Sequence, residues 1–257
     1  MTAAAEHQDE SFVTVSIDDG HFTDLRTADL LNKYGIPATF YVPARNPERP
    51  VMSTGEMRRL AAGFELGGHT ISHVPLNGLP LARAWSEIAD GKAWLEDAIG
   101  KPVASFCYPR GKHTSRIAEL VRKAGFRGAR TCCLNRHDFP ANPYMWAVST
   151  QGHNHGRAVQ IRHALLERNL RGAFNYLKIH KGTIDWRAHF EQALDWVAAN
   201  GGIAHLYFHS WEIEEAGEWA KLESVMRAIG ERPHLRRVTN GELFASWDAC
   251  RHAQRRI

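Results

Sequence analysis

Two short motifs contain the residues best suited to chemistry. The first, Ser-Ile-Asp-Asp-Gly, places Asp18 and Asp19 side by side after an apolar run. The second, His-Thr-Ile-Ser-His, places His69 and His73 four residues apart, a spacing that puts both imidazoles on one face of a helical turn. One carboxylate and two imidazoles are a common ligand set for a divalent metal, and the other carboxylate could then act on a bound water. The pattern predicts a metal-dependent hydrolase.

Each motif also has a simpler interpretation. Asp-Asp-Gly is typical of a turn, and a chain with 15 histidines contains pairs at this spacing by chance. His205 and His209 form a second such pair on a predicted strand, and His153 and His155 form a third candidate in a polar loop. The first pair is favoured because the two glycines before His69 leave room for the backbone to approach an ion.

The composition limits the class of protein. The chain has 257 residues, 44% hydrophobic and 23% charged, which is typical of one soluble globular domain. The net charge of +4 arises mostly near the C-terminus, without a basic stripe interleaved with aromatics, so nucleic acid is not an expected partner. The start lacks secretory-signal features, no stretch is long enough to span a membrane, and 4 cysteines are few for a disulfide scaffold. We therefore expect a cytoplasmic protein.

Apolar segments alternate with amphipathic ones along the chain. The predicted strands are 12–17, 38–42, 64–67, 105–108, 128–131, 144–148 and 203–208. The predicted helices are 23–34, 55–62, 81–99, 114–124, 157–171, 186–200 and 219–229. About seven βα units favour one domain with parallel strands over residues 11–247, preceded by an extended or disordered segment 1–10 and followed by a basic tail 248–257. In such folds the active residues lie at the C-terminal ends of strands.

These motifs resemble those of the NodB-homology polysaccharide deacetylases, carbohydrate esterase family four, in a divergent branch. The family's first motif is matched with Ile17 in place of phenylalanine, and its second is matched in full after Gly68. The third, aromatic-Arg-x-Pro-x-Gly, is partly matched at 106–111, and the last, Leu-x-x-His, at 206–209. The resemblance spans about residues 12–245.

The resemblance implies a distorted (β/α)7 barrel and a set of residue roles. Asp19, His69 and His73 would bind the metal, Asp18 would be the catalytic base and His209 the general acid. Zinc is the expected metal, although such sites also accept cobalt, nickel or manganese.

The third motif departs from the family pattern. The family arginine that orients the base falls at Cys107, which carries no charge. Arg110 or Arg130 could supply a guanidinium instead; we place Arg110 in the catalytic set and Arg130 among the substrate-binding residues. Asp185 is the nearest candidate for the family's partner of the general acid.

The predicted activity is removal of an N-acyl group, acetyl or formyl, from an amino sugar or glycan precursor. Tyr108, Trp146 and Trp211 could stack on the sugar, and we assign Tyr108 and Trp211 to substrate binding. Two alternatives remain open: a metal-dependent O-ester or phosphoester hydrolase, and a non-catalytic glycan-binding barrel. Retention of both an acid and a base counts against the second.

Overall fold

A computed structural model describes the backbone of residues 10–254 and the side chains of residues 10–247. The strands are β1 (Ser11–Asp18), β2 (Thr39–Val42), β3 (Glu65–Gly68), β4 (Ser105–Cys107), β5 (Gly128–Arg130), β6 (Thr150–Gln151), β7 (Gly202–Phe208) and β8 (Arg236–Arg237). The helices are α1 (Asp24–Tyr34), α2 (Thr54–Ala61), α3 (Leu81–Ile99), α4 (Ser115–Lys123), α5 (Arg157–Leu166), α6 (Leu170–Lys178), α7 (Trp186–Asn200), α8 (Ser210–Glu215), α9 (Trp219–Gly230) and α10 (Asn240–Gln254).

All strand pairs are parallel, in the order β5-β4-β3-β2-β1-β7-β6, with β8 also paired to β1. β1 lies at the centre of the sheet. Its residues are almost all buried, and it pairs with β7 along nearly its whole length. Parallel pairing brings the C-terminal ends of the strands to one edge, where Asp18 ends β1 and His209 follows the neighbouring β7.

The barrel closes through an irregular segment between β5 and β7. Trp146 forms an isolated parallel bridge with Arg130, and the Thr131 N–H donates to the Trp146 carbonyl at 2.7 Å. Five residues of this segment were predicted to form a strand, but only the bridge and the two-residue β6 form there. The expected distorted (β/α)7 barrel is confirmed, with its irregularity at this position.

One predicted helix proves to be two. Residues 157–171 were expected to form a single helix, but α5 ends at Leu166 and α6 begins at Leu170. The break arises because Arg168 has a φ of 53°, in the left-handed region, and the Asn169 side chain caps α6 by accepting from the Gly172 N–H at 2.9 Å. α8, α10 and β8 were not predicted.

Some sequence expectations concern the ends of the chain. Residues 1–9 and 255–257 lie outside the described residues, so the expected N-terminal segment stays a prediction, as do the domain limits. α10 continues to Gln254, into the segment expected as a basic tail. Within residues 10–254, no helix combines the length and apolar character needed to cross a bilayer.

Candidate active site and metal centre

The two adjacent carboxylates at the end of β1 face different partners. Both side chains are buried, and Asp19 has a φ of 82°, a conformation rare outside glycine. Asp18 forms an ion pair with Arg130, whereas Asp19 faces the imidazoles of His69 and His73. The neighbouring aspartates are therefore separated into an ion-paired carboxylate and a histidine-facing one.

Asp19, His69 and His73 form a group with metal-ligand character. Each offers one ligand atom, and these atoms lie within 4.8 Å of one another. Asp19 Oδ1 is 3.1 Å from His73 Nε2 and 3.8 Å from His69 Nε2. Asp19 Oδ1 is also buried without a hydrogen-bond partner, an arrangement that costs free energy unless a ligand compensates it. The donor set and this unpartnered oxygen fit a divalent cation such as zinc.

The tautomer of His69 suits metal binding. Its Nδ1–H donates to the Cys107 carbonyl at 2.9 Å, which leaves the Nε2 lone pair directed toward Asp19. Burial lowers the pKa of His69 to about 4, despite the opposing effect of nearby carboxylates. The imidazole is therefore neutral near pH 7, as a ligand must be.

A second group, Asp18, His69 and Cys107, also lies within 4.8 Å. It is less suited to a cation, because Arg130 already neutralises Asp18 and because burial raises the pKa of the Cys107 thiol. The group around Asp19 is therefore the better candidate.

His69 and His73 were expected on a helical turn, and this is wrong: both lie in a loop after β3. The loop brings the rings to a centroid distance of 5.0 Å through left-handed backbone at Thr70 and His73, with φ of 66° and 52°. The glycines before the loop also act differently than expected. A Cβ on Gly67 would lie 2.5 Å from the Tyr41 ring, so that glycine makes room for a side chain rather than an ion.

Arg130 supplies the guanidinium that pairs with Asp18. Cys107 and Arg130 are directly paired in register between β4 and β5, and the guanidinium of Arg130 reaches both oxygens of Asp18. Arg110, which was predicted to be catalytic, instead pairs with Glu48 at the exposed rim. That prediction is corrected, because the Arg110 guanidinium is bound elsewhere and Arg130 occupies the position beside Asp18.

The assignment of Arg130 to substrate binding is also wrong, because its side chain is 0% exposed. Its guanidinium lies 4.6 Å from the Tyr207 ring centroid and 5.3 Å from that of Tyr41, a cation–π environment. Burial alone would raise the pKa of Asp18, but Arg130, with help from His69 and His209, outweighs it and lowers the pKa. Arg130 thus keeps Asp18 ionised and fixed in place.

His209 stands opposite, with a carboxylate on each side. Its Nδ1 is 2.8 Å from Glu212 Oε2, and its Nε2 is 3.9 Å from Asp19 Oδ2. Burial lowers the pKa of His209, but Glu212 and the two aspartates outweigh burial and raise it to about 9. The imidazole is therefore protonated near pH 7 and can donate a proton.

Sequence reasoning missed Glu212 and suggested Asp185 as the partner of His209. Asp185 instead caps α7 by accepting from the Ala188 N–H and pairs with Lys221. The available signal was the spacing of Glu212, three residues after His209, which brings the two side chains together once α8 begins.

The site opens into a cleft of about 520 Å³. Asp18, Asp19, His69, His73 and His209 all line it, together with Glu48, Arg110, Lys112, Cys132, Leu134, Gln151, Arg162, His163, Leu166, Glu167, Tyr207 and Trp211. The side chains predicted to bind metal, act as base and act as acid therefore meet in one cavity.

Of the aromatic residues predicted to bind substrate, Trp211 lies in the cleft. Its indole N–H donates to Asp19 Oδ2 at 2.9 Å, and the Arg49 guanidinium lies 3.9 Å from its ring centroid. Tyr108 is fully buried, with its hydroxyl donating to the Tyr144 carbonyl, and Trp146 is buried in a second apolar cluster. The prediction for Tyr108 is therefore wrong, because its ring has no surface for a sugar.

Comparison with known proteins agrees with this geometry. Residues 5–129 match the family model described as polysaccharide deacetylase, a match that ends one residue before Arg130. The N-terminal half of the chain is therefore similar to the polysaccharide deacetylases. It is 27% identical over 121 residues to the putative polysaccharide deacetylase YxkH of Bacillus subtilis, covering 46% of this chain and 43% of that protein.

A second deacetylase relative and a solved structure extend the comparison. The chain is 26% identical over 140 residues to a peptidoglycan-N-acetylglucosamine deacetylase of Bacillus cereus, covering 52% of this chain and 62% of that protein. Both matches thus span only about half of each relative. The Xyl-CE4 domain of a multidomain xylanase from the hindgut metagenome of Trinervitermes trinervoides shares the fold, with a TM-score of 0.58 at 16% identity, covering 93% of this chain and 91% of that domain.

Proposed function

We propose that this protein is a metal-dependent amidohydrolase that removes an acetyl or formyl group from the nitrogen of an amino sugar or glycan precursor. The observation that carries the proposal is the division of labour between Asp18 and Asp19. One is held by Arg130 and the other faces two imidazoles, with His209 across the same cleft. A pure binding protein needs neither this separation nor the charges that maintain it.

Asp18 is the proposed general base. Arg130 lowers its pKa, so the carboxylate is ionised near pH 7 and can accept a proton from the attacking water. Because the buried ion pair also fixes the side chain, Asp18 is oriented before substrate arrives. Arg130 acts through Asp18 and is a positioning residue.

His209 is the proposed general acid. Hydrolysis of an amide requires a proton for the departing nitrogen, and an imidazolium whose pKa is raised to about 9 carries that proton at neutral pH. The hydrogen bond of Nδ1 to Glu212 leaves Nε2 free to face the cleft. Glu212 therefore both orients and charges the acid.

A cation held by Asp19, His69 and His73 would polarise the acyl carbonyl and acidify water. Zinc is proposed from the mixed nitrogen and oxygen donors. The indole N–H of Trp211 donates a hydrogen bond to Asp19 and so restrains this carboxylate. The Trp211 ring also borders the cleft.

Lys112 and Arg162 also line the cleft and favour a precursor that carries an anionic group, such as a phosphate-linked sugar.

The test combines elemental analysis with a screen for acetate or formate released from N-acetyl and N-formyl amino sugars. Wild type should contain one equivalent of metal and release one of these acids. Asp18→Asn should keep the metal and lose turnover, whereas the exposed Asp195→Asn should behave as wild type.

Two results would contradict the proposal. Release of acid only from O-acetyl compounds, or of phosphate only from phosphoesters, would indicate an ester hydrolase. Glycan binding with no turnover, unchanged by Asp18→Asn, would indicate a non-catalytic barrel.

A further inference from the structure

The apolar face of α6 points away from the protein. Leu170, Phe174 and Leu177 recur at the spacing of one helical face, and they are 70%, 60% and 57% exposed. The residues that α6 buries are Gly172, Asn175 and Tyr176, so Tyr176 is the one large ring on its inner face, whereas three large apolar side chains point outward. A surface helix of a globular protein normally shows the reverse arrangement.

The neighbouring helix α5 repeats the inversion. Leu165 and Leu166 at its end are 57% and 69% exposed, whereas its buried residues are Gln160 and Ala164. The two helices contact each other and form one surface. Of the 13 exposed large apolar side chains in the described part of the chain, eight lie in this region: Val159, Ile161, Leu165, Leu166, Leu170, Phe174, Leu177 and Ile184. We call this set the α5–α6 surface.

The charge of the same segment is strongly positive. Between residues 157 and 181 the only acidic residue is Glu167, and the six cations are Arg157, Arg162, Arg168, Arg171, Lys178 and Lys181. All six are exposed residues. This excess is larger than the net charge of the whole chain, +4, so the cations near the C-terminus are offset by acidic residues elsewhere. Exposed apolar side chains flanked by lysine and arginine are typical of helices that lie in the interface of an anionic bilayer.

We propose that the α5–α6 surface binds the surface of a membrane rich in anionic lipid. The apolar side chains would enter the headgroup region while the flanking cations pair with lipid phosphates. A second copy of the chain is a poorer occupant, because a two-fold contact would bring the same excess of positive charge together from both sides.

The position of this surface bears on the substrate. Arg162, His163 and Leu166 belong to α5 and also line the active-site cleft. Docking would therefore hold the cleft mouth beside the bilayer, where a lipid-linked glycan would be presented. This last point rests on the proposed function, whereas membrane binding itself does not.

Vesicle co-sedimentation tests the proposal without any turnover. The full-length protein is mixed with vesicles of phosphatidylcholine alone, or of phosphatidylcholine and phosphatidylglycerol at a ratio of about 7 to 3. We expect binding to the anionic vesicles that weakens as salt is raised, and at least ~10-fold weaker binding to the neutral ones. The double variant Leu170→Glu/Phe174→Glu should lose ~10-fold or more of the binding to anionic vesicles.

A matched control is available on α3, where Leu81 and Trp85 have the same spacing and are 46% and 39% exposed. Leu81→Glu/Trp85→Glu should bind vesicles like wild type. Because all four side chains are exposed, both double variants should keep the wild-type melting temperature, and this measurement confirms that they fold.

Three results of the vesicle experiment would overturn the proposal: no binding to anionic vesicles, equal loss in the control variant, or unchanged binding in the α6 variant. A dimer in solution that the α6 variant alone dissociates would assign the surface to a second copy of the chain, and would also overturn it.

Discussion

Two clusters of buried and partly buried histidines in the described part of the chain differ in their neighbours. In the active-site cluster, His69, His73 and His209 face the carboxylates of Asp19 and Glu212. The second cluster, His137, His180 and His189, has only neutral hydrogen-bond partners among the described contacts. Histidine side chains thus occur in two settings in this molecule, one beside carboxylates and one among neutral partners.

The second cluster is well satisfied. His137 bonds to the Ser149 hydroxyl at 3.0 Å and to His180 at 3.2 Å, and the ring of His180 stacks on that of His189 at 3.6 Å. His189 bonds to the Asn135 side chain at 2.8 Å. With no unpartnered donor set and no carboxylate, this cluster holds the fold together and offers no site for a cation.

The pKa values follow the same division. Burial lowers the pKa of His137 to about 4 and that of His180 to about 3. His209 is partly buried, and its burial also opposes the charged form, yet Glu212 and the aspartates raise its pKa to about 9. Burial favours the neutral imidazole, and neighbouring carboxylates decide whether that preference is reversed.

Replacing ligands in the active-site cluster should have the largest effect. His69→Ala or His73→Ala removes one of three candidate ligands, so we expect the metal to be lost and activity to fall by ~10³-fold or more. Elemental analysis and product release measure both. His180→Gln, from the second cluster, should lower stability but keep one equivalent of metal in the folded protein. Stoichiometric metal in both alanine variants would show that the ligand assignment is wrong.

The Asp18–Arg130 pair should come next. Arg130→Gln leaves a buried carboxylate unpaired, so we expect a loss of about 3–5 kcal/mol in stability and a drop of ~10²-fold in kcat. Arg110→Gln, at the exposed rim, should change kcat less than threefold. In Asp18→Asn/Arg130→Gln the stability losses should be far from additive. Equal kcat losses in the two arginine variants would contradict the assignment of Arg130.

The second cluster should respond to acid through stability. The folded pKa of His137, about 4, lies below its ordinary value of 6.5, so the unfolded chain binds more protons between these pH values. The contribution of His137 to the free energy of unfolding is therefore fully present above pH 6.5 and is lost as the pH falls toward 4. His137 alone should account for ~2 kcal/mol at pH 5. Urea midpoints at pH 7.5 and 5 measure this, and His137→Gln should show a smaller drop. An equal drop would exclude His137 as the source.

The smallest effect concerns the charge of His209. Glu212→Gln removes a carboxylate that raises the pKa of this imidazole, so the alkaline limb of kcat/KM, where the acid loses its proton, should move to lower pH by about one unit. Activity at pH 7 should fall only a few-fold. Glu214→Gln, which changes an exposed neighbour on α8, should leave the pH profile unchanged. If the alkaline limb does not move in Glu212→Gln, Glu212 does not raise the pKa of the general acid.

Much of this arrangement could be predicted from residue order. The apolar run of β1 predicts that Asp18 and Asp19 lie at the end of a strand, and the final Leu-x-x-His motif predicts the same for His209. Both predictions are possible because a buried strand and the residues that follow it are consecutive in the sequence. The two motifs also contain the three candidate ligands, Asp19, His69 and His73, which lie within 4.8 Å of one another in the structure. The local conformation of the loop could not be predicted. Thr70 and His73 have left-handed backbone, which these residue types rarely adopt, so the sequence does not indicate it.

What could not be predicted depends on contacts between strands and across helix breaks. The pairing of Cys107 with Arg130 is a matter of register, which residue order does not reveal. The role of Glu212 required a helix starting at Ser210, and the inverted α6 required a helix restart at Leu170. The apolar stripe of α6 was visible in the sequence, but its outward orientation is set by tertiary packing.

The lateral pairing of Cys107 and Arg130 has a consequence for judging distant relatives. In the proposed mechanism a guanidinium lies beside the base, Asp18, and either of two adjoining strands could place it there. An arginine absent from one strand can therefore be replaced by an arginine at the paired position of the neighbouring strand, and this arginine can still form the ion pair with the proposed base. A relative that lacks this arginine should be inspected one strand to the side before it is counted as inactive.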